Sequence, residues 1–171
     1  MVSELTVTEL LTRAWEIAGS VPDPELPALT VADLGILREI TLDEDRLIVS
    51  ITPTYSGCPA LHDMRREVAS RLAAAGFAAD VRAVLSPPWS TDLITADGRR
   101  KLAEAGIAPP RSVRRAGRPV PLTLFAAGPP VACPQCGSAD SERTAAFGST
   151  ACKDLRRCRA CGEPFEHVKE S

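Results

Sequence analysis

Apolar residues recur at helical spacing over Leu10, Leu11, Ala14, Ile17 and Ala18, and Gly19 closes the run. Just before it, Thr6-Val7-Thr8-Glu9 has the spacing of a capping box, in which a hydroxyl accepts from the first turn and a carboxylate reaches back. Three prolines between Ser20 and Pro27 then impose an extended loop. Leu34–Thr41 and Arg46–Thr52 read as two strands around the acidic turn Asp43-Glu44-Asp45, with Leu47, Val49 and Ile51 alternating as a half-buried strand requires. A second helix is predicted from about Pro59, its stripe formed by Leu61, Met64, Val68, Leu72 and Ala75 and its end marked by Gly76. Ala79–Leu85 reads as a third strand. Asp97 is placed to cap a short helix over Gly98–Ala105, closed by Gly106.

This order predicts one α/β domain with a small mixed sheet over residues 1–106. From Ile107 the periodicity disappears, and six of the 15 prolines fall between there and Val131. Residues 107–130 therefore read as a proline-rich linker, although Val120, Leu122, Leu124 and Phe125 have the composition of a ribbon or edge strand. Residues 131–171 are too few to bury a sufficient core alone and need a staple.

The cysteines supply that staple. Cys133-Pro134-Gln135-Cys136 and Cys158-Arg159-Ala160-Cys161 are two CxxC pairs, each followed by a glycine (Gly137, Gly162) that can take the positive-φ turn of a metal knuckle. Two such turns complete the Cys₄ set that zinc prefers, and residues 137–157 leave room for a β-hairpin between them. A disulfide pair is disfavoured by this spacing. An iron–sulfur cluster, which also takes four thiolates, is the competing occupant. Cys152 lies between the pairs and reads either as a small buried side chain or as an additional ligand.

Composition narrows the remaining classes. The 171 residues carry a net charge of −2 and only 4% aromatics, so aliphatic side chains must build the core. Charge is uneven: −7 over residues 1–57, +1 over 58–110 and +4 over 111–171. The basic C-terminal part lacks the aromatic row of a nucleic-acid reader, which favours a docking face for an acidic partner. Neither a signal-peptide pattern at the N-terminus nor an apolar run of about 18 residues is present, so no membrane association is expected. Six cysteines in such a chain fit a reducing cytoplasm.

Candidate chemistry outside the ribbon lies in two loops. Asp23-Pro24-Glu25 places two carboxylates on a stiffened backbone. Thr54-Tyr55-Ser56-Gly57-Cys58-Pro59 joins the second strand to the second helix, which predicts Cys58 at the helix N-cap with a depressed thiol pKa. Thr54 and Ser56 add hydroxyls at the same mouth. His62, one turn further on, reads as a surface histidine or as a base for Cys58.

Asp23-Pro24-Glu25 with Leu34-Gly35-Ile36 and Thr54-Tyr55-Ser56-Gly57-Cys58-Pro59 resembles the MIP18-type (DUF59) domain of iron–sulfur assembly factors. Together with Cys133-Pro-Gln-Cys-Gly, Phe147-Gly-Ser-Thr-Ala-Cys-Lys and Cys158-Arg-Ala-Cys-Gly-Glu-Pro-Phe165, the ordered set resembles the PaaD family, components of bacterial phenylacetyl-CoA epoxidases. The resemblance implies a cytoplasmic accessory protein of phenylacetate catabolism, acting in metal-centre assembly beside a di-iron oxygenase and a flavin and [2Fe–2S] reductase. It implies that Cys58 is the reactive cysteine, with Asp23 and Glu25 as its acidic partners and Thr54 beside them. The residues agree in lacking a flavin or nicotinamide fingerprint and an ExxH pair for di-iron. A thiol-dependent enzyme using Cys58 and a nucleic-acid-binding ribbon are the alternative readings.

Overall fold

The computed structural model describes residues 6–55, 57–111 and 130–170, which divide into two compact units, Met1–Gly98 and Arg99–Ser171. The first opens with α1 (Val7–Gly19), capped as its sequence predicts. The Thr6 hydroxyl accepts the Glu9 N–H at 3.3 Å, and the Glu9 carboxylate accepts the Thr6 N–H at 2.8 Å. The helix buries its small residues Ala14, Ala18 and Gly19, so it lies close against its neighbours.

The unit's sheet holds β1 (Leu37–Asp43), β2 (Arg46–Ile51) and β3 (Ala79–Ala83) in that order. β1 and β2 are antiparallel and β2 and β3 parallel, which makes the sheet mixed as expected. The β2–β3 crossover is α2 (Ala60–Ala74), which buries Ala60, Met64, Val68 and Leu72. Its predicted glycine end is present: the Gly76 N–H donates to Ala73 O at 3.0 Å and the Phe77 N–H to Leu72 O at 2.9 Å. Leu61, expected on the buried stripe, is only half-buried.

Three boundaries differ from expectation. Leu34-Gly35-Ile36 is a turn, not the start of β1, because Gly35 sits at φ 65° with its backbone against Leu93; a Cβ there would stand 2.5 Å from the Leu93 carbonyl oxygen. β3 stops at Ala83 and leaves Leu85 exposed, since the Val84 N–H makes the last bond to Ile51 O and Pro87 and Pro88 soon follow. At the start of α3 (Ala96–Glu104) the Thr95 hydroxyl, in place of the predicted Asp97, accepts the Gly98 N–H at 2.9 Å.

The second unit contains a four-stranded sheet ordered β4-β7-β6-β5, from β4 (Ile107–Ala108), β5 (Ser141–Ala145), β6 (Lys153–Cys158) and β7 (Pro164–Val168). β5 and β6 are the hairpin expected between the two CxxC pairs. Ile107 and Ala108, expected in the linker, instead pair in parallel with Glu166 and His167. Ala108, Val131, Cys133, Cys158 and Phe165 form this unit's small buried cluster. The edge strand considered around Val120, Leu122, Leu124 and Phe125 lies outside the described residues.

Candidate functional site

Residues 20–31 fold back on themselves through the Pro22–Thr30 bridge, with Val21, Leu26 and Leu29 buried beneath. Asp23 is buried because its side chain serves the loop: Oδ1 accepts the N–H of Glu25 at 2.7 Å and of Leu26 at 2.9 Å. Glu25 is half-buried beside it.

Cys58 does not cap α2. Pro59 is the N-cap, since its ring-fixed φ of −66° is already helical, and the Cys58 N–H turns back to Tyr55 O at 3.2 Å. The expected depression of its thiol is also overturned. Burial of the half-exposed Cys58 pushes the thiol above its ordinary value; the Ala60 and Leu61 N–H groups pull the other way, and the Glu25 and Asp23 carboxylates push it further up. The fold thus brings Asp23 and Glu25 within electrostatic reach of Cys58. Thr54 is half-buried in the same loop, while Ser56 lies outside the described residues. His62 is exposed and lines a groove with Arg46, Arg65 and Arg66. Sequence reasoning missed Thr52 at the base of the loop, which is buried with its hydroxyl unpartnered among the described residues.

In the second unit, Cys133, Cys136, Cys158 and Cys161 converge, their sulfurs all within 4.8 Å of one another. The two knuckles are built alike. Gly137 N–H donates to Cys133 O at 2.8 Å and Gly162 N–H to Cys158 O at 3.0 Å; Cys133 N–H donates to Ser138 O at 2.9 Å and Cys158 N–H to Glu163 O at 2.8 Å. Both glycines take the left-handed turn, at φ 76° and 81°.

Four sulfurs each about 2.3 Å from one tetrahedral ion stand about 3.8 Å apart. The Cys133–Cys161 and Cys136–Cys158 sulfur pairs are 3.9 and 3.6 Å apart, so the donor set fits a single ion, and all four thiols are free. Their mutual influence points the same way. Backbone N–H groups, that of Cys161 foremost, hold the Cys158 thiol down at about 7. Cys161 is pushed up to about 12: the Glu163 N–H favours its thiolate, but the Cys136 sulfur, burial and the Cys158 and Cys133 sulfurs outweigh it. Four thiolates coexist here only around a cation.

Cys152 is not in this cluster; its sulfur is 3.1 Å from the Thr150 hydroxyl. Beside it lies a buried charge network that no sequence pattern announces. Lys153 pairs with Glu166 at 2.8 Å, while Asp154 meets Arg156 at 3.2 Å and His167 Nδ1 at 3.1 Å. These residues alternate along two paired strands among charged neighbours, a pattern that looks solvated until β6 and β7 are paired.

An α/β unit carrying a Gly-Cys-Pro loop, followed by a four-cysteine ribbon, defines a metal-binding accessory class. Residues 15–85 match the family described as iron-sulfur cluster assembly protein, and residues 117–169 match the PaaD zinc beta ribbon domain. The crystal structure of the domain of unknown function DUF59 from Bacillus anthracis is similar at 25% identity and a TM-score of 0.50, over 54% of this chain and 90% of that one. A protein of Escherichia coli (strain K12) named "Putative 1,2-phenylacetyl-CoA epoxidase", and designated the D component, is 40% identical over 156 residues, 91% of this chain and 90% of that protein. The chain belongs to the PaaD family. No helix among the described residues is long and apolar enough to cross a membrane.

Proposed function

We propose that this chain is a cytoplasmic, non-catalytic accessory protein of a phenylacetyl-CoA ring epoxidase that assembles or maintains the iron or iron–sulfur centre of its oxygenase or reductase partners. Its ribbon holds one structural zinc through Cys133, Cys136, Cys158 and Cys161. The observation that carries the reading is the grouping of Cys58 with Glu25 and Asp23. A thiol raised by burial and by carboxylates stays protonated, and therefore a poor nucleophile, at neutral pH. A cation arriving between sulfur and carboxylate reverses both influences: it compensates the negative charge and displaces the thiol proton. Such a mixed sulfur and oxygen site suits iron held in passing, with Thr54 as a further oxygen beside it.

Domain limits follow from the same reading. An assembly unit over residues 1–106 handles the metal cargo, and a ribbon over 131–171 keeps its own ion.

Comparing the iron content of the partner subunits produced with and without this chain tests the proposal. Under-metallated partners are expected when it is absent or carries Cys58→Ala, together with loss of growth on phenylacetate. Fully metallated oxygenase and reductase that stay inactive until the chain is added in equal amount would make it a working subunit instead.

A further inference from the structure

β3 is an edge of the first unit's sheet, and its outer side is a candidate for pairing. Leu47 N–H donates to Ala78 O at 2.8 Å and Val84 N–H to Ile51 O at 2.8 Å, so even-numbered residues 78–84 turn their backbone groups toward β2. Ala79, Val81 and Ala83 then turn theirs away, and no strand among the described residues lies on that side. The orientation is seen directly at Val81, whose carbonyl accepts the Arg65 Nε and Nη2 hydrogens at 3.0 and 2.8 Å.

Along this edge, between α2 and β3, runs a groove of about 360 Å³ lined by Arg46, His62, Arg65, Arg66, Ala69 and the start of β3. Its charge is one-sided. Arg46, Arg65 and Arg66 face a single lining acid, Asp80, and Asp80 already pairs with Arg82 at 2.8 Å. Arg66 meets Asp63 at 3.2 Å, but both are exposed, and such a pair holds the guanidinium weakly. Open strand edges invite aggregation and are commonly blunted by cationic side chains, which is the plain reading of Arg65. A hydrogen-bonding edge beside a helix, with one sign of charge along the cleft, is also the geometry in which an extended peptide adds as a strand.

We infer that this groove binds an extended acidic segment of a partner protein, added to the β3 edge with carboxylates at alternate positions facing Arg46, His62 and Arg66. Alternation follows from the strand period, which directs every second side chain to the α2 side. A strand continued past Ala83 leads to the end of the sheet where β2 gives way to the Cys58 loop, since Ile51 and Ala83 are paired. That last placement rests on the accessory reading; strand addition itself does not.

The test uses the full chain, zinc-loaded and labelled for NMR, with a short synthetic peptide alternating glutamate and valine. Shifts and slowed amide exchange are expected at Ala79, Val81 and Ala83, with a counterpart alternating lysine and valine giving none. Arg46→Glu/Arg66→Glu should weaken binding about tenfold or more with an unchanged circular dichroism spectrum. Absence of shifts at millimolar peptide overturns the inference, as does protection along β1 instead. Shifts confined to the His62 and Arg66 side chains, without amide protection, reduce the groove to a simple anion site and overturn strand addition. Tighter binding of a single-stranded oligonucleotide there overturns the acidic-protein assignment. These outcomes do not depend on the epoxidase, so the accessory reading fails or stands separately.

Discussion

Two cysteine environments in one chain are set up in opposite ways. In the ribbon, four sulfurs lie within 4.8 Å on two glycine-closed turns, and only a cation makes their joint ionisation tolerable. In the α/β unit, Cys58 stands among Asp23 and Glu25 with its thiol raised, so it remains protonated until something positive arrives. The contrast teaches that ligand count and geometry decide residence. A complete tetrahedral set keeps its ion as part of the fold, whereas one sulfur flanked by carboxylates holds a metal only in passing.

The strongest way to break this contrast is to remove the permanent ion. Cys133→Ser/Cys158→Ser should lose the bound metal and unfold the ribbon, because for small metal domains the roughly 10–16 kcal/mol of binding free energy is largely folding free energy. The hydrophobic core of the first unit, including Leu29, Leu34, Ile36, Val49, Ile51 and Met64, contains none of these ligands and should persist. Metal analysis and amide exchange check both halves; stoichiometric metal kept by the double variant would refute the site.

The converse experiment is next in size. Leu72→Ala removes a fully buried side chain of α2 and should cost the first unit about 2–5 kcal/mol. The ribbon should retain its metal. Thermal unfolding followed together with metal release separates the two, and simultaneous loss would show one cooperative unit where independent stabilities are expected.

The smallest effect sharpens the Cys58 side. Its alkylation by iodoacetamide at neutral pH should be slower than that of a model thiol and should rise with a midpoint above the ordinary value of 9.0. The sign for stability follows: the folded thiol binds its proton more tightly than the unfolded one, so this contribution is present below pH 9.0 and is lost as pH rises through the folded value. Alkylation faster than the model thiol at neutral pH would restore the activated cysteine that the sequence suggests.

What the sequence determined by itself is the chemistry contained within a few neighbouring residues. The Thr6–Glu9 capping box, the Gly76 helix end and the two Cys-x-x-Cys-Gly knuckles depend on contacts three to five positions apart, so their residue types suffice to specify them. The hairpin between the knuckles and the alternation of β2 were legible for the same reason. Tertiary structure alone decided the state of the Cys58 thiol, because burial and two carboxylates from a distant loop outweigh the nearby helix N–H groups on which a local reading relies. It also decided that Leu34–Ile36 turns against Leu93, that Ile107–Ala108 joins the ribbon sheet, and that Lys153, Asp154 and His167 are buried. Each depends on which strands and loops meet across long stretches of chain, and no pattern of adjacent residues encodes that meeting.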